Sequence, residues 1–203
     1  MSNARSIALY VTLAAMAVTA PVSGQRLDLI PFVGSYYATT PLGRQVSGEE
    51  ERHENQPAFG ATLLLRLSQS IGIEASFAYT ASGTNITSDV PVDNQGFSGS
   101  IIFAGARGRF WVPRTNFFGL AGVGIVSRGG EAWNFPNTTE LTSIAGVAGF
   151  GVQAEVSPKV RVDLKIEVQV YAADPDGDGP QYESKTMPDV LATVGIPIRL
   201  MGR

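Results

Sequence analysis

From residue 160 to 171 the chain alternates without a break: Val160, Val162, Leu164, Ile166, Val168 and Val170 take one set of positions, and Arg161, Asp163, Lys165, Glu167 and Gln169 the other. A period of two belongs to a β-strand, whose successive side chains point to opposite faces. One face is aliphatic and the other carries four charges of alternating sign, so the two faces meet different surroundings. The same reading along the chain predicts eight strands, at about 26–37, 57–67, 71–81, 97–112, 116–128, 143–156, 160–172 and 189–201. Ser68, Gln69 and Ser70 join the second to the third; Pro113, Arg114 and Thr115 join the fourth to the fifth; Ser157, Pro158 and Lys159 join the sixth to the seventh. The other four connections are long and polar. Tight turns that alternate strictly with long loops must all lie at one end, which predicts an all-β, antiparallel, up-and-down barrel of eight strands.

Ahead of the strands, Arg5 and an apolar run from Ile7 to Ala20 lead into Pro21, Val22, Ser23 and Gly24. This is the pattern of a cleaved secretory signal peptide over residues 1–24, leaving one domain over 25–203. The run is shorter than the roughly 20 residues a spanning helix needs. The chain has no cysteine, so neither a disulfide framework nor thiol chemistry is expected.

In an exported chain this alternation fits two barrels. A membrane barrel turns its apolar face to lipid and its charges to the lumen. A soluble lipocalin-like barrel inverts the pattern, holding an apolar ligand inside and facing water with its charges. The sorting of charge favours the first. The long loops hold Glu49, Glu50, Glu51, Glu54, Asp89, Asp93, Glu131, Glu140, Asp174, Asp176, Asp178, Glu183 and Asp189 against Arg44, Arg52, Arg128 and Lys185, a net −9. The turns and the mature termini carry Arg26, Arg114, Lys159 and Arg203 and no acid. A formal net charge of −3 thus conceals a strongly acidic end and a basic one.

The remaining charges lie within strands, with Asp28, Glu74, Glu155, Asp163 and Glu167 set against Arg66, Arg107, Arg109, Arg161, Lys165 and Arg199. Unpaired charge in a narrow interior is prohibitive, and this near balance predicts structural ion pairs in a plugged lumen. Glycines at 60, 105, 122, 124, 149 and 151 raise a further possibility, room near the loop end for a small amphiphile. Aromatics supply two belts: Phe110, Trp111, Phe117 and Phe118 beside the Pro113 turn, and Tyr36, Tyr37, Tyr79 and Tyr171 at the long-loop ends.

With these strands in place the mature chain resembles the small eight-stranded outer-membrane barrels of the OmpA-like and OmpX/Ail-like families. The last strand carries the most specific likeness: Thr193, then Gly195, then Ile198 and Leu200, similar to the terminal signal read by the barrel-assembly machinery. Ile198 and Leu200 stand where aromatics are usual, and the chain continues through Met201, Gly202 and Arg203. The resemblance implies an outer membrane of the Gram-negative type, contact with its lipid and lipopolysaccharide, and assembly by that machinery.

Candidate chemistry is sparse. Asp174, Asp176 and Asp178, with Gly179 at the sixth position, resemble the first half of a calcium loop. The twelfth position is Lys185 where a bidentate glutamate is expected, so a bound calcium and a solvated acidic turn stay open as alternatives. His53, the single histidine, sits in a charged loop, and the strand carboxylates alternate with bases as ion pairs do, so no catalytic residue is assigned. No basic stripe suited to nucleic acid is present. The expected role is structural or surface-interacting and adhesion-like, without catalysis and with no cofactor beyond the calcium alternative. A small-solute channel and a lipid-modifying barrel stand as further alternatives, and the extracellular partner is not named by the sequence.

Overall fold

A computed structural model of the chain describes residues 25–39, 43–44, 50–53, 55–81, 84–87, 96–97, 99–130, 142–157, 160–173 and 185–202. The expected signal peptide and the 174–179 acidic segment lie outside them. The strands are β1 (Arg26–Ala38), β2 (Gly43–Arg44), β3 (Glu50–His53), β4 (Gln56–Arg66), β5 (Ile71–Thr80), β6 (Thr84–Thr87), β7 (Gly96–Phe97), β8 (Gly99–Trp111), β9 (Phe117–Gly130), β10 (Thr142–Ser157), β11 (Val160–Ala173), β12 (Lys185–Gly195) and β13 (Ile198–Met201).

The long strands pair antiparallel in the order β12, β11, β10, β9, β8, β5, β4, β1, and β12 pairs again with β1. The sheet closes into a barrel and leaves no edge. The last wall is made in two pieces: β12 pairs with β1 from Phe32 to Ala38, and β13 with Leu27 to Leu29. Ile196 and Pro197 occupy the break, where the missing proline donor costs no ladder bond, and the Ile196 N–H still donates to the Pro31 carbonyl at 3.2 Å. The single eighth strand expected over 189–201 therefore begins four residues earlier and is interrupted. The loop segments β2, β3, β6 and β7 form a second, four-stranded sheet that the pattern did not predict.

The tight turns are built from their own side chains. Ser68 Oγ accepts from the N–H groups of Ser70 and Ile71 at 3.2 and 3.1 Å. In the β8–β9 turn the Thr115 N–H donates to the Val112 carbonyl at 3.1 Å. Pro113 takes the second position of that turn, and Arg114 takes the third with φ 64°, a conformation that favours glycine or asparagine.

Alternation places the charges inside. On β11 Asp163, Lys165, Glu167 and Gln169 are at most 4% exposed, while Leu164, Ile166 and Val170 are each 42% exposed. The outer surface carries Val33, Phe59, Phe77, Val123, Ile144, Phe150 and many others like them. A contiguous apolar surface of this kind is foreign to a soluble monomer. It is the reverse of the lipocalin-like arrangement.

Candidate functional site

The lumen holds two apolar clusters with charge and polar groups around them. Toward the turn end Ile30, Leu64, Trp111, Phe118, Leu120 and Val147 pack together. Toward the loop end the packing comes from Phe32, Tyr36, Ile101, Phe103, Val126, Tyr171, Met187 and Leu191. The six glycines expected to leave room for an amphiphile are closely approached, a Cβ on any of them meeting a neighbouring atom at 2.7 Å or less. A Cβ on Gly60 would meet the Phe77 carbonyl oxygen and the ring of Phe32, and one on Gly151 the Leu164 carbonyl oxygen and the ring of Phe118; backbone and ring together take the space at these two. Gly105 and Gly122 lie against the backbone of the neighbouring strand, where no side chain fits.

Six buried charges form one continuous set. Arg109, fully buried, reaches Glu74 at 2.7 Å and Asp163 at 2.6 Å. Lys165 stands 3.5 Å from Glu74 and 3.4 Å from Glu167, and Arg107 stands 2.7 Å from Glu167. Glu74 is on β5, Arg107 and Arg109 on the adjacent β8, and the other three on β11. In a ring of eight, β5 and β11 are diametrically opposed, so the set crosses the barrel from wall to wall. Three bases face three acids. The Arg109 guanidinium also lies 3.9 Å from the Phe118 ring centre, which gives its remaining face a favourable neighbour.

The other strand charges sit apart from this set. Asp28 is buried and held by Arg26 at 2.7 Å. Arg199 was expected among the lumen pairs but is exposed: β13 lies beyond the break at the rim, and all four of its residues face solvent. Glu155 and Arg161 pair at 2.7 Å, again at the exposed rim. Arg66 stacks on Trp111, 4.1 Å from its ring centre, and donates to Gln153 Oε1 at 3.1 Å.

At the loop end is a polar cluster that the sequence reading missed. Asp189, placed there in a loop, lies on β12 and is 1% exposed. Its carboxylate accepts from the Tyr36 hydroxyl at 2.8 Å and from the Tyr171 hydroxyl. Arg128, also expected in a loop, is buried, with its guanidinium 4.7 Å from the Tyr171 ring centre. Tyr36, Tyr171, Trp111 and Phe118 accordingly leave the aromatic belts. Tyr37, Phe110 and Phe117 do face outward. The missed signal was parity: Tyr36 shares the face of Asp28, and Tyr171 that of Asp163.

No protein-family model matches the chain, and no curated protein matches it. Among solved structures, it is similar to the outer membrane protein OprG from Pseudomonas aeruginosa, with 10% identity over 89% of this chain and 97% of that one, and a TM-score of 0.57. This shows the fold: a small closed barrel of the outer-membrane type. Neisserial surface protein A (11% identity, 87% and 97% covered, TM-score 0.49) and Ail of Yersinia pestis with a heparin analogue (15%, 87% and 100%, TM-score 0.45) align more loosely.

Proposed function

We propose that this chain spans an outer membrane as a structural or surface-interacting barrel and catalyses no reaction. The carrying observation is the inside-out distribution of polarity, with four buried polar residues on the inner face of β11 and exposed aliphatics on its outer face. A lipid surround stabilises those outward side chains, and only a paired interior tolerates the inward ones. The fold shared with OprG, itself an outer membrane protein, supports the same location.

The reading of a plugged lumen, in preference to a small-solute channel, draws support from the ion pairs that cross it and from the rings packed above and below. The acidic loops are the interacting part. Their excess of carboxylates suits divalent cations shared with lipopolysaccharide phosphates, with calcium at Asp174, Asp176 and Asp178 as one instance. Insertion by the barrel-assembly machinery through the Thr193 to Leu200 strand completes the proposal.

Fractionation followed by gel electrophoresis with and without boiling in SDS tests the location. A closed spanning barrel is recovered with outer membranes and migrates faster unboiled. Recovery in the soluble fraction with no mobility shift would refute the reading.

A further inference from the structure

The turn-end mouth of the lumen opens into a cavity of about 420 Å³ whose wall includes Arg66, Trp111, Arg114, Gln153, Glu155 and Arg161. Three guanidinium groups share this wall with one carboxylate, and that carboxylate, Glu155, is taken up by Arg161 at 2.7 Å. Among the described residues no carboxylate pairs with Arg66 or Arg114, which leaves the wall two positive charges in excess. Two donors here are also unpartnered. The Nε of Arg66 and the indole N–H of Trp111 are buried without an acceptor, and Trp111 is more than nine-tenths buried. Neither atom has surface open to the cavity, so both belong to the packed wall behind it.

The backbone adds a third observation. Arg114 is the one non-glycine residue with positive φ among the described residues, and strain of that kind collects at binding sites. Arg66 is held flat by stacking on Trp111 and anchored on one edge by Gln153, a geometry that preorganises the guanidinium fork for an oxyanion.

The geometry points to a binding site for a small oxyanion, carboxylate or phosphate, at the turn-end mouth, with Arg66 and Arg114 as its charged ligands and Trp111 as the floor on which Arg66 stacks. This site is separate from the acidic loops and lies at the other end of the barrel. It does not rest on the membrane reading, because the assay requires only a folded barrel.

Trp111 supplies its own reporter. The chain has two tryptophans, at 111 and 133, so a Trp133→Phe background leaves emission from Trp111 alone. Folded, detergent-solubilised protein, checked by its gel mobility shift, is titrated with citrate and separately with inorganic phosphate at constant ionic strength set by sodium chloride. Saturable change in Trp111 emission is expected for at least one anion, with half-saturation near or below about 1 mM, within reach of two charge-assisted contacts. A response to one anion alone identifies the group recognised. Arg114→Gln changes an exposed turn residue and preserves the fold; it is expected to weaken the response at least tenfold. An absent response to both anions would overturn the site, as would an equal response to added sodium chloride or an Arg114→Gln variant that titrates like its parent.

Discussion

Replacing Arg109 by methionine isolates the energetics of the lumen. The side chain is fully buried, and Glu74 and Asp163 stand within 2.7 Å of it. Deleting its charge leaves three acids against Arg107 and Lys165 in a space water does not replace. At an effective dielectric of about 20, unit charges 4 Å apart attract by about 4 kcal/mol, so two such pairs are worth about 8 kcal/mol gross. Desolvation of the guanidinium offsets several kcal/mol of that, which brings the expected loss to about 3–5 kcal/mol, the usual cost of breaking a buried pair by removing one partner. With a urea slope of about 2 kcal/mol/M, the unfolding midpoint in detergent should fall by about 1.5–2.5 M. Adding Glu74→Gln restores equal numbers of acids and bases, and the double variant should recover part of the loss. The assay is equilibrium unfolding followed by tryptophan emission and by the gel mobility shift. A single variant within about 0.3 M of the parent midpoint would refute the argument that these charges are a coupled, desolvated set. So would a double variant less stable than the single one.

Arg161→Gln removes an ion pair of the same 2.7 Å length at the exposed rim, and its cost should stay below about 1 kcal/mol, measured as the same midpoint shift. Ile166→Arg places a charge on the outward face near the middle of β11; in a lipid bilayer it should cost about 2–4 kcal/mol, whereas a water-facing site would show almost none. If the 174–178 carboxylates hold calcium, calorimetric titration will give a saturable heat that disappears in an Asp176→Asn, Asp178→Asn double variant; identical isotherms would dispose of the site.

Much of the wall was legible in the sequence because the physics of a strand is local. The β11 alternation, the three tight turns and the near balance of strand charges each follow from residues a few positions apart. The errors arose where residues were sorted by height along the barrel and not by side of the sheet. Tyr36 with Tyr37, Phe110 with Trp111, and Phe117 with Phe118 are neighbours in sequence, so within each pair only one ring can face outward, and the buried member fills the lumen. Asp189 was misplaced for a different reason. Pro188 and an aspartate read as loop chemistry, and the two tyrosine hydroxyls that satisfy the carboxylate come from residues 153 and 18 positions away. The same limit applies to the ion pairs: balance was readable, but which acid meets which base depends on strands facing each other across a closed ring. Arg199 was lost because the break at Ile196 and Pro197 ends the inward-facing wall before it.

The wall-to-wall set of charges also bears on how the barrel is made. Three of its pairs join residues 54, 60 and 91 positions apart and cannot form within a single hairpin; Glu74 with Arg109, on paired β5 and β8, and Lys165 with Glu167, within β11, are the local ones. The early segment contributes Glu74, Arg107 and Arg109, a surplus of one positive charge, while β11 contributes Asp163, Lys165 and Glu167, a surplus of one negative charge. Before closure each half keeps its surplus charge exposed; the two surpluses neutralise one another only when β11 comes to face β5 and β8 across the ring. Assembly intermediates are thereby kept polar and unsatisfied, and the completed ring becomes kinetically difficult to reopen, since opening any seam that parts β5 from β11 separates opposite charges out of water.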